Sequence, residues 1–323
     1  MPAQLYQLTK ATLTYDIANE CHQGRCPAGI FFKCIAIFIS YLLHMPTEII
    51  HTVHLFPELD HHLNRILKSL DTEDWNKFTL AKKWTVKDVA AHLLDGNIRA
   101  VSIYRDNFFG EPPPGIRSYQ DLVSFLNELN HSWVKAAKRM SPELLTDLLE
   151  STGKEYSRQM EKQELFADAI FPVSWAGEEV SKNWFHIARE YTEKYHHQMQ
   201  IRDAVGATAE LITPELFRPF IHTLLMGLPH TYKHVDARDH SIVKIAISGN
   251  AGGEWFLLRT EDKWELTGTL PAGNIIATII LSPDTAWKLF TKGITAEQAK
   301  KEAQITGAVE IGSTALSMIA VMA

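Results

Sequence analysis

The sequence predicts an α+β protein in which a helical bundle is followed by a smaller α+β domain. Two observations carry this prediction: hydrophobic residues recur at helical spacing up to about residue 204, and short β-like runs begin at about residue 242. The 323 residues are 46% hydrophobic and 22% charged, as in a soluble globular protein large enough for two domains. We therefore expect a bundle over residues 46–206 and an α+β domain over residues 210–323.

The first part of the chain carries the start and stop signals of an up-and-down helical bundle. Thr85 and Asp88 predict a capping box, with Asp in place of the usual Glu, and a proline at the first helical position follows Ser141. Gly206 ends the last helix. The expected helical segments are 49–70, 85–109, 118–140, a fourth that begins at 141–142, and 181–204. Bundles of this kind place metal sites between facing helices.

The second part of the chain changes to short β-like runs. Thr213-Pro214 starts a helix that leads into this part, and glycine, asparagine and aspartate turns separate the runs. The expected strands are 242–248, 254–259, 263–266 and 275–281, with helical patterns at 283–291 and 313–322. The glycine-rich segment 249–253 lies between the first two runs, so it predicts a hairpin turn rather than a phosphate-binding loop.

Residues 1–44 do not match the rest of the chain. The apolar stretch 30–43 is interrupted by Lys33 and is shorter than the roughly 20 residues that span a bilayer. It also lacks the features of a signal peptide, and Met45 is a plausible start for a cytosolic protein. We therefore expect residues 1–44 to be an extension outside the functional fold and the protein to be cytoplasmic. A membrane-anchoring helix at 30–43 is the alternative.

Charge and cysteine usage exclude several classes of function. A net charge of −6 with mixed signs provides no basic stripe for nucleic acid, and no P-loop, dinucleotide fingerprint or nucleophile elbow is present. All three cysteines lie at or before Cys34, so the main body has no disulfide framework. A cysteine nucleophile would require the N-terminal segment to fold back over the body. Otherwise any thiol chemistry needs a thiol from outside.

Three side chains on two predicted helices form a candidate metal site. Glu193 and His197 are four residues apart and therefore lie on one side of a helix, and His92 can complete the set from a facing helix. His186 and Glu190 extend the same stripe. A solvated polar face and a helix-stabilising Glu–His pair are the alternatives that spacing alone leaves open.

At these residues the sequence resembles a known family. Residues 84–93 read Trp-Thr-Val-Lys-Asp-Val-Ala-Ala-His-Leu, and residues 193–206 read Glu-x-x-x-His-Gln-x-Gln-Ile-Arg-Asp-Ala-Val-Gly. Both segments are similar to the mycothiol-dependent maleylpyruvate isomerase family, whose bundles are DinB-like. The resemblance implies a divalent metal, usually zinc, held by His92, Glu193 and His197. The C-terminal part is similar to the sterol-carrier-like domain that follows this bundle in family members.

The resemblance implies a metal-dependent enzyme that uses a low-molecular-weight thiol, mycothiol or an equivalent, for isomerisation or thiol transfer. The substrate would be a small molecule, a dicarboxylate or another electrophile, and Arg202 and Arg99 are candidate anchors for its carboxylate. Arg99 has a structural alternative, an ion pair with Asp95 one turn earlier. A non-catalytic protein that binds a metal or a small ligand is the second class of function that remains open.

Overall fold

The structure is a computed structural model that describes residues 49–110 and 115–321. The predictions for residues 1–44, including the apolar stretch 30–43, lie outside these described residues. Within the described ranges, no helix is both long enough and apolar enough to cross a membrane.

Four helices of the first part pack as a closed ring. The helices of this part are α1 (Phe56–Ser69), α2 (Thr72–Asn76), α3 (Val86–Asp106), α4 (Tyr119–Ala137), α5 (Pro142–Glu161) and α6 (Asn183–Ala204). Helix α1 contacts α5, α5 contacts α3, α3 contacts α6, and α6 contacts α1. Helix α4 lies against α3, where the indole nitrogen of Trp133 donates to the carbonyl of Ala91 at 2.7 Å. The predicted bundle is therefore present, with α4 added to its side.

The predicted cap at the start of α3 is confirmed. The Thr85 side chain accepts from the Asp88 amide, and the Asp88 carboxylate accepts from the Thr85 amide. These two bonds satisfy amide groups that the first helical turn leaves without partners. The same helix ends at Asn107, whose positive φ of 53° suits a residue that tolerates the left-handed region. Local side-chain chemistry thus sets both ends of the helix that carries His92.

A buried polar node ties together the four helices of the ring. The Lys194 ammonium on α6 lies 2.7 Å from the Asp60 carboxylate on α1 and donates to the Asn97 side chain on α3 at 3.1 Å. It also lies 4.4 Å from the centre of the Tyr156 ring on α5. All four side chains are buried, so the Lys194 ammonium depends on Asp60 and Asn97 for its polar contacts. The node fixes how α6 is rotated within the ring.

The second part contains a five-stranded mixed sheet. Its helices and strands are α7 (Pro214–Leu225), α8 (Leu228–Thr231), β1 (Ser241–Ile247), β2 (Gly253–Arg259), β3 (Trp264–Thr267), β4 (Asn274–Leu281), α9 (Pro283–Phe290), α10 (Ala296–Glu302), β5 (Gln304–Gly307) and α11 (Val309–Ser313). The strand order is β3-β2-β1-β4-β5, and only the β1–β4 pair is parallel. The predicted hairpin joins β1 to β2. A Cβ on Gly252 would lie 1.9 Å from the Ile247 carbonyl, so this turn requires glycine.

The α+β fold class is confirmed, but several details of the second part were not predicted correctly. Strand β5 and helix α10 were missed because their short polar sequences carry little periodicity. The helix predicted over 313–322 is wrong: α11 ends at Ser313, a 3₁₀ turn follows at Thr314–Ser317, and the chain is then extended. The extended tail is held where the Ala320 amide donates to the Phe290 carbonyl at 2.9 Å. This tertiary bond outweighs the weak local helical preference.

One hydrophobic core runs from α6 through α7 to the sheet. The Tyr191 and Tyr195 hydroxyls donate to the carbonyls of Leu216 and Leu211, at 2.9 and 2.6 Å. The Tyr195 ring also stacks on Phe220 with centroids 4.2 Å apart. The side of α6 that carries Tyr191 and Tyr195 thus packs into this core. The side that carries Glu193 and His197 faces the interior of the ring of helices. The domain boundaries at 206 and 210 stay predictions, since this core continues across them.

Candidate metal centre

Facing helices α3 and α6 bring the three predicted ligands together. The His92 and His197 rings meet edge to face with centroids 4.5 Å apart. On α6, the Nε2 atom of His197 lies 3.6 Å from a carboxylate oxygen of Glu193. The Trp84 ring packs 5.0 Å from the His92 ring and covers one side of the group. The three predicted ligands therefore lie near one another, and their binding of one metal ion stays a prediction.

The hydrogen bonds of His197 determine which of its nitrogens is free. Its Nδ1 atom lies 2.9 Å from the side-chain oxygen of Gln200, and an amide oxygen can only accept a hydrogen bond. Nδ1 therefore carries a proton, and Nε2 is the ring atom that lies beside the Glu193 carboxylate. In the neutral imidazole Nε2 holds a lone pair, and this lone pair and the carboxylate repel each other across 3.6 Å unless a proton or a metal ion lies between them.

The structure adds His196 to the cluster. Its Nδ1 atom donates to the Thr192 carbonyl at 2.9 Å, so its Nε2 lone pair is also free. Ligand atoms of Glu193, His196 and His197 all lie within 4.8 Å of one another. The His196 and His197 rings have centroids 3.9 Å apart. The cluster thus offers two candidate third ligands beside the Glu193–His197 pair: His92 from across the bundle and His196 from the same helix.

The electrostatic environment favours the ligand-competent forms of these side chains. Burial lowers the pKa of His92 well below its usual value, and the neighbouring His197 lowers it further. Burial and His197 together lower the pKa of His196 to about 3. Burial alone would raise the pKa of Glu193, but His197, His196 and Arg189 outweigh it and hold that pKa well below the usual range. Neutral imidazoles and an ionised carboxylate are the forms that bind a metal.

The cluster lies in the wall of a cavity of about 420 Å³, a size suited to a small molecule. Its charged lining has more cations than carboxylates: Lys82, Lys83, Arg99, Arg189, Glu190 and Glu193. Thr291 and Val321, from the second part of the chain, complete the wall. A ligand in this cavity would therefore meet the candidate metal ligands and a cationic surface together.

A polar network beside the cavity accounts for the rest of the predicted stripe. The Arg189 guanidinium donates to Glu190 at 2.5 Å and to His186 Nδ1 at 2.9 Å. Because His186 accepts at Nδ1, its Nε2 carries the proton that bonds the Tyr104 oxygen at 2.6 Å. Tyr156 donates to the second Glu190 oxygen at 2.8 Å. His186 and Glu190 thus both accept hydrogen bonds from Arg189, and together they hold its guanidinium at the cavity wall.

The two predicted carboxylate anchors lie in different places. Arg99 lines the cavity, with 43% of its side chain exposed, and forms the alternative ion pair with Asp95 at 3.0 Å. Arg202 is fully buried and does not line this cavity. Its guanidinium donates to the carbonyls of His62 and Ala207 and to the Glu210 carboxylate, which attaches the end of α6 to α1. These contacts hold Arg202 in a structural position between α6 and α1, away from the cavity.

Several residues of the cavity were not predicted from the sequence. Gln200 could have been found, because it lies three residues after His197 on the same helical face. Arg189 could have been found in the same way, four residues before Glu193. The participation of Thr291 and Val321 depends on long-range packing and leaves no local signal.

These features define a class: a helical bundle with a candidate metal centre in an open cavity, continued by an α+β part. Residues 56–202 match the family model described as the mycothiol maleylpyruvate isomerase N-terminal domain. This domain of the chain therefore belongs to the mycothiol maleylpyruvate isomerase family. No curated protein matches the sequence significantly.

Solved structures provide further similarities. Two structures of the mycothiol-dependent maleylpyruvate isomerase, the first of them a mutant, share 12% and 13% sequence identity with this chain. They cover 79% and 73% of this chain and 91% and 86% of their own, with TM-scores of 0.47 and 0.45. A ubiquinone synthesis protein, UbiJ-SCP2, shares 17% identity over 25% of this chain and 69% of its own, with a TM-score of 0.20. The sterol-carrier-like nature of the second part stays a prediction.

Proposed function

We propose that the protein is a metal-dependent enzyme that uses a low-molecular-weight thiol to isomerise, or transfer the thiol to, a small anionic substrate. The observation that carries the proposal is the Glu193–His197 pair, whose carboxylate oxygen and Nε2 atom lie 3.6 Å apart on the wall of a cavity of about 420 Å³. Membership of the N-terminal domain in the mycothiol maleylpyruvate isomerase family supports mycothiol or an equivalent as the thiol.

The donor set fits a divalent ion, and zinc first among them. Two imidazoles and a carboxylate are a known catalytic zinc set that leaves a coordination position open. We assign His92, Glu193 and His197 as the ligands because His92 reaches the pair from the facing helix and would enclose an ion from a second side. When bound, the ion would lower the pKa of a thiol or water. His196 is the competing donor for the third position.

The side chains around the cluster have separate roles in this proposal. Trp84 packs on His92 and limits the access of water to that side of the cluster. The cationic lining attracts an anionic substrate into the cavity. Thr291 and Val321 also line the cavity, so both parts of the chain shape the space that the substrate would occupy.

Arg189 and Arg99 are the proposed carboxylate anchors, and we expect Arg189 to matter more. Its position is fixed by Glu190 and His186, whereas Arg99 is half-exposed. A lost charged hydrogen bond of about 1.5–3 kcal/mol corresponds to a rise in KM of about 10–100-fold. We expect Arg189→Met to give this rise with maleylpyruvate as substrate, and Arg99→Met to give a smaller one. Arg202→Met, the buried control, should lower stability and leave KM unchanged. Equal KM values for all three variants would contradict the assignment.

The proposed function is tested by an assay of thiol-dependent turnover with and without a chelator. Mycothiol and other small thiols are supplied with maleylpyruvate or a simple electrophile, and product is measured by chromatography. We expect turnover that the chelator abolishes and added Zn²⁺ restores. Thiol turnover that the chelator leaves unchanged would contradict the metal-dependent mechanism. Tight metal or ligand binding with no turnover for any thiol would identify the protein as a non-catalytic binding protein instead.

A further inference from the structure

We infer that Gln200 is a positioning residue, which fixes the tautomer of His197 so that its Nε2 lone pair is available to a metal ion. This inference rests on the proposed metal centre. Gln200 is 6% exposed and lies three residues after His197 on α6. Its side-chain oxygen accepts the hydrogen bond from His197 Nδ1 at 2.9 Å. The hydrogen bond that orients an imidazole is often as necessary for metal binding as the ligand itself.

The neighbouring carboxylate makes this bond necessary. A neutral imidazole holds one proton, on either Nδ1 or Nε2. The Glu193 carboxylate stands 3.6 Å from Nε2 and, in the metal-free protein, attracts the proton to that atom. A proton on Nε2 would occupy the lone pair that a metal needs. The Gln200 oxygen opposes this attraction because it stabilises the Nδ1–H form, from which it accepts a hydrogen bond.

The other two imidazoles differ in whether their Nδ1 atom has a hydrogen-bond partner. His196 has the same tautomer, fixed by the Thr192 carbonyl of its own helix. His92 has a buried Nδ1 atom with no hydrogen-bond partner among the described residues. The Nδ1 atom of His197 bonds to the Gln200 side chain and not, as in His196, to a carbonyl of its own helix. The tautomer of the central imidazole therefore depends on one side chain.

Two variants of Gln200 separate positioning from simple packing. Gln200→Leu keeps a similar volume and removes the acceptor, whereas Gln200→Glu keeps an acceptor. Gln198→Leu is the matched control on the same helix, because the Gln198 amide bonds to the backbone of Leu59 and Leu63, away from His197. The two readouts are the ¹⁵N shifts of the His197 ring in metal-free protein and the dissociation constant for Zn²⁺.

We expect wild type and Gln200→Glu to show the Nδ1–H tautomer and to bind Zn²⁺ with similar or tighter affinity. Gln200→Leu should move the proton toward Nε2 and weaken Zn²⁺ binding by about 10–100-fold, the usual effect of losing such a partner. Gln198→Leu should lower stability and leave both readouts at their wild-type values.

The inference is overturned if Gln200→Leu keeps the Nδ1–H tautomer and the wild-type affinity, or if the wild-type ring is protonated at Nε2. A wild-type protein that binds no Zn²⁺ would instead refute the proposed metal centre. The ¹⁵N shifts would still report in that case whether Gln200 sets the tautomer. A Gln200→Leu variant with unchanged affinity but a raised KM would assign Gln200 to substrate contact.

Discussion

Replacing His197 by alanine is expected to remove divalent-metal binding almost completely. The substitution removes one of two facing donors and leaves His196 as the remaining imidazole near Glu193 on its own helix. Loss of a residue that only orients a ligand costs about 10–100-fold in metal affinity, so loss of the ligand should cost more than about 100-fold. The measurement is titration of metal-free protein with Zn²⁺ in a calorimeter. Glu193→Gln, which keeps the shape and removes the charge, should have a similar effect.

The matched control is His61→Ala, because His61 is an exposed histidine on α1 outside the cavity. It should bind Zn²⁺ like the wild type. His92→Ala and His196→Ala then identify the third ligand. We expect His92→Ala to weaken binding strongly and His196→Ala to weaken it less. The reverse order would assign the third position to His196, and wild-type affinity in His197→Ala would contradict the centre altogether.

Replacing Lys194 by methionine is expected to destabilise the fold by about 3–5 kcal/mol, as is usual when one partner of a buried ion pair is removed. The variant leaves the buried Asp60 carboxylate without its cation and the Asn97 side-chain oxygen without its donor. These groups come from three helices of the ring, so the loss affects the whole bundle. The free energy of unfolding from urea titration measures the effect.

Lys68→Met is the matched control for this prediction. Lys68 also connects α1 to α5, with its ammonium 2.7 Å from Glu150, but more than half of its side chain is exposed. Exposed pairs contribute about 0–1 kcal/mol, so the control should change stability little. The double variant Lys194→Met with Asp60→Leu should regain part of the lost stability, because no buried charge is then left unpaired. Equal effects of Lys194→Met and Lys68→Met would show that the node is not a determinant of stability.

The parts of the structure that were predicted from the sequence depend on local interactions. The capping pair Thr85 and Asp88 fixes the start of α3 within one turn, and helical spacing places Glu193 and His197 on one face. The apolar faces of α3 and α6 then pack against each other in the ring, which brings His92 to the pair. The α+β class followed from the change of periodicity near residue 242.

The parts that could not be predicted depend on long-range contacts. Arg202 lies only five residues after His197, yet its partners His62 and Glu210 attach it elsewhere. The extended tail that contributes Val321 to the cavity is held by the Phe290 carbonyl, which no local pattern reveals. The tautomer of each imidazole likewise depends on a hydrogen-bond partner that becomes visible only in three dimensions.

The most direct test of the proposed centre is a crystal structure of the Zn²⁺-loaded protein with anomalous diffraction measured at the zinc edge. The proposal predicts one strong peak in the cavity, about 2.0–2.2 Å from the Nε2 atoms of His92 and His197 and from a carboxylate oxygen of Glu193. The Gln200 side chain should remain bonded to His197 Nδ1. A fully loaded crystal with zinc only at surface histidines, and none beside Glu193 and His197, would contradict the proposal.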